Sequence, residues 1–396
     1  MNWGYNMGVV PEGYKETEIG IIPKGWGLVR LDEVCNINPP KEVFDGEVSF
    51  VKMEDVTEDA KLRNFSIKHS SEVSTGFTFF KNNDVIVAKI TPCFENGKGA
   101  LINNLINNCG FGSTEFHVLR VGDNILSEYI YYHTISAQFR GKGELNMVGT
   151  AGQKRIPKNF ISSYIIPLPP LPEQQKIAEI LSTWDNSIEN LENLISKKIE
   201  IKKGLMQNLL TGNVRFPGFE DEWKEVKLED ICSITTGKLN ANAMQDGGKY
   251  KFFTCAREVF QINTPAFDTE ALLVSGNGAN VGYIHYYCGK FNAYQRTYVL
   301  DDFTENILFV KFLLECYLPN RINREKNAGN TPYIVLNTLS KMKLRIPSIP
   351  EQQKIASVLS TQDKEIDLLK QKLELVKTQK KGLMQNLLTG KVRVNV

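Results

Sequence analysis

Two stretches of the chain carry apolar residues at alternating steps of four and three. The first runs Ile177, Leu181, Trp184, Ile188, Leu191 and Ile195, keeps register through Lys198 and Lys202, and resumes at Leu205 and Leu209. The second runs Ile355, Leu359, Gln362, Ile366, Leu369, Leu373, Val376, Lys380, Leu383 and Leu387. Such spacing draws one stripe along a helix, and over several heptads it predicts a coiled-coil seam. Pro172 and Pro350 suit a first helical position, where the missing N–H would be unpaired anyway, and Glu173 and Glu351 complement the positive end of the helix dipole. Gly212 and Gly390, each after a threonine, supply stops in the left-handed conformation. Each helix then spans about 39 residues, roughly 58 Å at 1.5 Å per residue. Neither stripe can be buried by its own helix, so the two are expected to pair, antiparallel.

Elsewhere the pattern is shorter. Strand-like runs at Asp84 to Ile90, Glu115 to Leu119, Ala271 to Ser275 and Thr297 to Leu300 are separated by Gly/Asn turns. Helical runs at Ser127 to Arg140 and Asn306 to Leu318 follow in corresponding places. The expected fold class is α+β: two related mixed domains, at 1–170 and 214–348, joined by coiled-coil helices at 171–213 and 349–396, as a pseudo-twofold internal repeat.

The repeat is legible in the letters. "GLMQNLLTG" occurs at Gly204 to Gly212 and again at Gly382 to Gly390, an offset of 178 (382 − 204). At that offset, 44 residues from Pro172 align without a gap to 44 from Pro350, and 26 pairs are identical, concentrated at the two ends. "WGLVRLDEVC" from Trp26 likewise resembles "WKEVKLEDIC" from Trp223. Identical surface at two equivalent places implies a partner present twice. Candidates for that contact are Gln174, Gln175, Lys203 and Gln207, with their mates Gln352, Gln353, Lys381 and Gln385. Lys202 and Lys380 belong to the same segments. Gly204 and Gly382 do too, and a mid-helix glycine costs about 1 kcal/mol against alanine, which predicts a close helix approach there.

Composition removes several classes. With 396 residues the chain is too long for one ordinary core. No apolar run approaches the roughly 18 residues of a membrane helix, and the first twenty residues lack the pattern of a secretion signal, so a cytoplasmic location is expected. Seven cysteines are scattered singly and no two of the four histidines stand at i, i+4, which argues against disulfide frameworks and metallohydrolases. The net charge of +2 argues against coating nucleic acid through a large basic field, though it leaves room for local basic readers.

Three enzyme-like signals are weak. "NPPK" at Asn38 to Lys41 resembles the NPPY motif of amino-group DNA methyltransferases, but lysine replaces the stacking aromatic and no methyl-donor unit precedes it; a Pro-Pro turn is the simpler reading. "SGNGANVG" at Ser275 to Gly282 runs into a strand pattern instead of opening a helix, as a glycine-rich hairpin would. "ENGK" at Glu95 to Lys98 lacks the preceding Pro-Asp of a nuclease centre. What remains is recognition chemistry on glycine-punctuated loops: Lys89, Thr91, Asn96, Lys98, Ser113, Thr114, Gln153, Lys154 and Arg155 in the first domain, and Asn277, Asn280, Gln295, Arg296, Asn330 and Thr331 in the second. Arginine and lysine reach guanine edges, asparagine and glutamine pair with adenine, and hydroxyls and lysines hold phosphates.

From about residue 14 onward the chain resembles the DNA-specificity (S) subunits of type I restriction–modification enzymes. The resemblance rests on "PLPPLPEQQKIAEIL", "GLMQNLLTG", the doubled layout, and "ITPCFENGKGA", "GSTEF" and "GQKRIP" in that order. It implies a non-catalytic subunit whose two target-recognition domains each read one half of a bipartite, asymmetric site in double-stranded DNA. The helices would set the spacing and dock two methyltransferase subunits, with restriction/translocase subunits joining for cleavage. It also implies no cofactor in this chain, since S-adenosylmethionine, ATP and magnesium would be bound by the partner subunits. Weak DNA affinity is then expected of the chain alone. Two other readings stay open: a stand-alone adenine methyltransferase using Asn38 to Pro40, and a coiled-coil scaffold with two ligand-binding lobes.

Overall fold

The computed structural model describes residues 10–150, 152–325 and 333–396. A hairpin of β1 (Tyr14–Thr17) and β2 (Gly20–Pro23) is followed by β3 (Gly27–Arg30), a single turn α1 (Leu31–Val34) and β4 (Cys35–Ile37). Next come β5 (Glu47–Val51), β6 (Ser66–His69), α2 (Ser70–Val73), β7 (Thr78–Phe80), β8 (Val85–Ala88), β9 (Gly99–Leu101), β10 (Gly110–Gly112) and β11 (Phe116–Val121). They build two four-stranded sheets, β6-β5-β10-β7 and β4-β11-β8-β9. After α3 (Ser127–Ile135), α4 (Ala137–Leu145) and α5 (Lys158–Ser163), β12 (Ile165–Leu168) pairs back with β3 and leads into α6 (Leu171–Leu209).

The second half repeats the plan. It holds β13 (Lys224–Lys227), β14 (Ser233–Thr236), β15 (Tyr250–Phe253), β16 (Phe260–Ile262), β17 (Phe267–Ser275), β18 (Ile284–Ala293), β19 (Thr297–Asp301), α7 (Ile307–Glu325), α8 (Leu336–Ser340), β20 (Lys343–Ile346) and α9 (Ile349–Leu388). Here one six-stranded sheet runs β14-β19-β17-β18-β15-β16.

The two topologies are one. β4-β11-β8-β9 corresponds to β14-β19-β17-β18, and the parallel pair β5·β10 corresponds to β15·β18. In the second half β17 and β18 pair without interruption from Phe267 to Val274. In the first half the same ribbon is cut into β7/β8 and β9/β10. The cut falls where Asn83, Asn104, Asn107 and Asn108 take positive φ, a conformation asparagine tolerates but strands do not. Asp84 fixes the corner: buried, it accepts from the Lys81 N–H at 2.7 Å and from both arms of the Arg120 guanidinium at 2.9 and 2.8 Å. The helical run from Ser127 is also interrupted, because Ser136 turns extended and its hydroxyl caps α4 by accepting from the Phe139 N–H.

By contacts the chain divides at Asn190 and Lys372, inside the two long helices. Unit 1 therefore owns the first half of α6 and the second half of α9, and unit 2 owns the other halves. Within unit 1, Ile177, Ala178 and Leu181 share a core with Met384, Leu387, Leu388 and Trp26. Within unit 2, Leu209 and Leu210 share a core with Ile355, Ala356, Leu359 and Leu228. Both half-pairs are antiparallel, and both carry the same ion pair in the seam: Asp185 with Lys380 and Asp363 with Lys202, each at 2.5 Å. The offset of 178 maps one pair onto the other (185 + 178 = 363; 202 + 178 = 380).

The repeated helix ends meet inside each unit. In unit 1 the Glu173 carboxylate is buried, accepts from Trp26 Nε1 at 2.9 Å and is paired with Arg393. In unit 2 the buried Glu351 receives both arms of Arg215 at 3.0 and 2.7 Å, while the matching Trp223 Nε1 is buried with no partner. Gln174 accepts from the Leu126 N–H and donates to Asn124 O and Pro169 O; Gln352 accepts from the Asn306 N–H and donates to Glu305 and Pro347 O.

Three expectations need correction. The helices start at Leu171 and Ile349, so the prolines stand second, not first. Gln174 and Gln352 are closed inside their units, which removes them from any partner surface. A Cβ at Gly204 or Gly382 would meet nothing within 4 Å, so among the described residues no helix approaches either glycine closely. The stops do form as expected, with Gly212 at φ 76° and Gly390 at φ 70°.

Candidate nucleic-acid interface

In unit 1 three of the glycine-punctuated loops are laced into one corner by backbone bonds. The Lys89 N–H donates to Glu115 O at 2.7 Å, the Ile156 N–H to Lys89 O at 2.9 Å, and the Thr91 N–H to Lys154 O at 2.9 Å. Arg155 bridges both Ile90 and Val148. A side chain closes the corner from below: His117 Nε2 faces Ile156 O at 2.9 Å, so it carries the proton, and Nδ1 accepts from Asn38 Nδ2 at 3.1 Å. Burial holds this imidazole down at about 4, against the bond to Ile156 that favours the charged form.

Unit 2 has the same corner. Strand register sets the correspondence, since Phe116 stands opposite Ala88 and Thr297 opposite Ser275. The Gly276 N–H donates to Arg296 O and the Ile334 N–H to Gly276 O, both at 2.9 Å, and Asn277 bridges Tyr333. Tyr298 Oη donates to Ile334 O at 3.2 Å in the role of His117.

On this shared frame the side chains differ. Unit 1 has Lys89, whose ammonium donates to Thr114 O at 2.8 Å and whose pKa burial lowers. Unit 2 has Gly276 there, and a Cβ would lie 2.3 Å from Arg296 O. Glu115 corresponds to Arg296, and Arg155 to Tyr333. Glu115 holds the Arg155 fork with Nε at 3.0 Å and Nη2 at 2.9 Å. Arg296 makes no ion pair or side-chain hydrogen bond among the described residues, and with Gly276, Gln295, Tyr298 and Ile334 it lines an open cavity of about 260 Å³.

Other expected site residues spend their polar atoms inside the chain. Thr91 donates to Glu95 at 2.7 Å, Asn96 to Glu58 at 2.9 Å, Lys98 to Met53 O at 2.9 Å, and the Ser113 hydroxyl accepts from the Glu115 N–H at 3.2 Å. Asn280 donates to Cys255 O at 3.2 Å and Gln295 to Asn240 at 2.9 Å. Thr114, Gln153 and Lys154 are exposed at the unit 1 corner, and Asn277 stands at the unit 2 corner. Asn330 and Thr331 lie outside the described residues. Of the expected partner-facing residues, Gln175, Lys203, Gln207, Gln353, Lys381 and Gln385 are exposed, whereas Lys202 and Lys380 are taken up by the seam. Arg257, whose guanidinium lies 5.4 Å over the Tyr283 ring, was not among the residues the motifs singled out.

Asn38, the head of "NPPK", donates to His117 and accepts from the Val118 N–H at 2.9 Å, which commits its amide to the fold. "SGNGANVG" is a hairpin loop, with the Ser275 N–H bonded to Tyr283 O and the Gly282 N–H to Ser275 O. Among the described residues no cluster of His, Cys, Asp or Glu could hold a metal ion, and no helix is long and apolar enough to cross a membrane.

Known proteins share both the sequence and the fold. The specificity subunit of the EcoAI type I restriction enzyme of Escherichia coli is 32% identical over 243 residues, covering 60% of this chain and 41% of that protein. The EcoEI subunit is 37% identical over 193 residues, 48% of this chain and 32% of that protein, so the chain spans about a third to two fifths of these relatives. The MjaVIII specificity subunit of Methanocaldococcus jannaschii is 23% identical over 97% of this chain and 96% of its own length. The crystal structure of the type I restriction-modification S subunit from M. genitalium superposes with a TM-score of 0.63 at 19% identity, covering 92% of this chain and 96% of that one. Residues 23–201 and 220–378 each match the type I restriction modification DNA specificity domain, and the chain belongs to that family.

Proposed function

We propose that this chain is the non-catalytic DNA-reading subunit of a type I restriction–modification complex, in which each unit recognises one half of a bipartite, asymmetric site. The observation that carries the reading is the pair of corners: one backbone frame, built twice, bearing different side chains. A frame fixed by the same bonds in both units with exchanged donors and acceptors suits two different half-sites. The helices would set the spacing of the two half-sites, which on one face of a duplex recur about every helical turn, roughly 34 Å. Their exposed repeated residues, Gln175, Lys203, Gln207 and the mates Gln353, Lys381 and Gln385, would dock two methyltransferase subunits. S-adenosylmethionine, ATP and magnesium would belong to those and to the restriction subunits. The commitment of Asn38 to His117 and Val118 weighs against a methyltransferase centre at "NPPK".

The test is a genome-wide map of adenine methylation in the source strain with and without this gene. One bipartite motif should vanish on deletion, and exchanging residues 14–170 or 217–348 for those of another specificity subunit should change one half of the motif each. Survival of every motif in the deletion strain would refute the reading.

A further inference from the structure

We propose that Arg296 reads a guanine in the half-site of unit 2, a role closed to the matching place in unit 1, where Glu115 stands and can only accept. The inference rests on the DNA-reading function proposed above and names the residue that sets one position of it.

The backbone corner is shared, and the two units place their arginines differently on it: Arg296 stands where unit 1 has Glu115, and Arg155 where unit 2 has Tyr333. In unit 1, Glu115 accepts from Nε and Nη2 of Arg155, whose Nη1 donates to Gln153 O at 3.1 Å, so carboxylate and guanidinium there neutralise each other. Arg296 is fixed only through its backbone: its carbonyl accepts from the Gly276 N–H at 2.9 Å and from Cys255 Sγ at 3.3 Å. Neighbouring Gln295 is held through its N–H to Leu239 O and its amide to Asn240. The guanidinium is exposed, and even the segment 326–332, which precedes Tyr333, contains no carboxylate that could neutralise it. A rigid mount with a free planar fork is the arrangement that pairs two parallel N–H donors with guanine O6 and N7. Gly276 lines the cavity beside it with backbone alone, where unit 1 carries the Lys89 side chain at the matching position.

Methylation would be mapped in strains carrying the wild-type gene, no gene, R296Q and R296K, with thermal melting of each purified chain alongside. Lysine keeps the charge and loses the fork. In both variants the half-site of unit 1 and the gap should stay intact, while one guanine position in the other half loses its discrimination. That discrimination, about 5- to 150-fold for a bidentate pair, should fall to within a few-fold. Three results would overturn the proposal: an unchanged motif in R296K, which would make Arg296 a phosphate contact; an unchanged motif in R296Q; or loss of all methylation, whether the variant chain melts normally or not. Unchanged methylation in the strain lacking the gene would instead remove the DNA-reading function itself.

Discussion

Glu173 and Glu351 occupy the same place in their units but rely on different donors, and that difference predicts unequal sensitivity. Glu351 is fully buried and its carboxylate is answered by Arg215, itself only 23% exposed. R215A should therefore cost more than the loss of the matching arginine in unit 1, because it leaves a buried carboxylate unanswered. Arg393 is 46% exposed, and Glu173 keeps the Trp26 donor without it, so R393A should cost only about 1–2 kcal/mol. Denaturant titration of the two variants checks the order, and an equal or reversed ranking would refute the account. Histidines make a second residue-scale prediction. Burial holds His117 at about 4 and His133 at about 3, below the ordinary value near 6.5. Both fold as neutral rings, so their contribution is complete above pH 6.5 and drains away as pH falls toward 4, on the order of 3 kcal/mol for His117. Replacing His133, whose Nε2 has no hydrogen-bond partner among the described residues, by Phe should make the acid limb of a melting-temperature profile shallower. An unaltered limb would mean that His133 does not titrate there.

At the scale of elements, the antiparallel halves of α6 and α9 make a sharp claim about register. Asp185 should couple to Lys380 by about 1 kcal/mol in a double-mutant cycle with alanine, and Asp363 should couple to Lys202 to a similar degree. A parallel coil would place the two aspartates together, and the couplings would vanish. The helices were legible in the sequence because a 4,3 spacing is a local signal repeated over ten positions. The cut that turns one six-stranded sheet into two four-stranded ones was not, since left-handed asparagines and the pairing of Asp84 with Arg120, 36 residues apart, decide it. The doubled corner was hidden for a related reason. Its members recur at three different offsets, 187 from Lys89 to Gly276, 181 from Glu115 to Arg296 and 178 from Ile156 to Ile334, because loops between the strands differ in length. The loops carrying polar candidate residues could be picked out from their composition. Which of those candidates keep free polar atoms could not, because side chains such as Asn96 and Lys98 find partners far away in sequence.

Across the whole molecule, the division of the chain inside both long helices explains most of the repeated letters without any partner. Each unit joins the start of one helix to the end of the other, so the two ends must be alike for both joints to close in the same way. Glu173, Gln174, Leu209 and Met384, with their mates, are accounted for by that joint. Gly204 and Gly382 are not, since open space surrounds both. If nothing in the chain needs them, G204A and G382A should each stabilise the isolated protein by about 0.5–1 kcal/mol, through helix propensity and a less flexible unfolded chain. Two identical stability losses left uncorrected point to contacts made outside the chain, and two equivalent places imply two copies of one partner. Under the proposed function, G204R should lower the number of bound methyltransferase subunits from two to one, G382R should do the same, and the double variant should bind none. Native mass spectrometry of the reconstituted complex reads the count directly. Two copies still bound to the double variant would show that the docking surface lies elsewhere on the helices, away from the one position where the repeat spends stability for no internal contact.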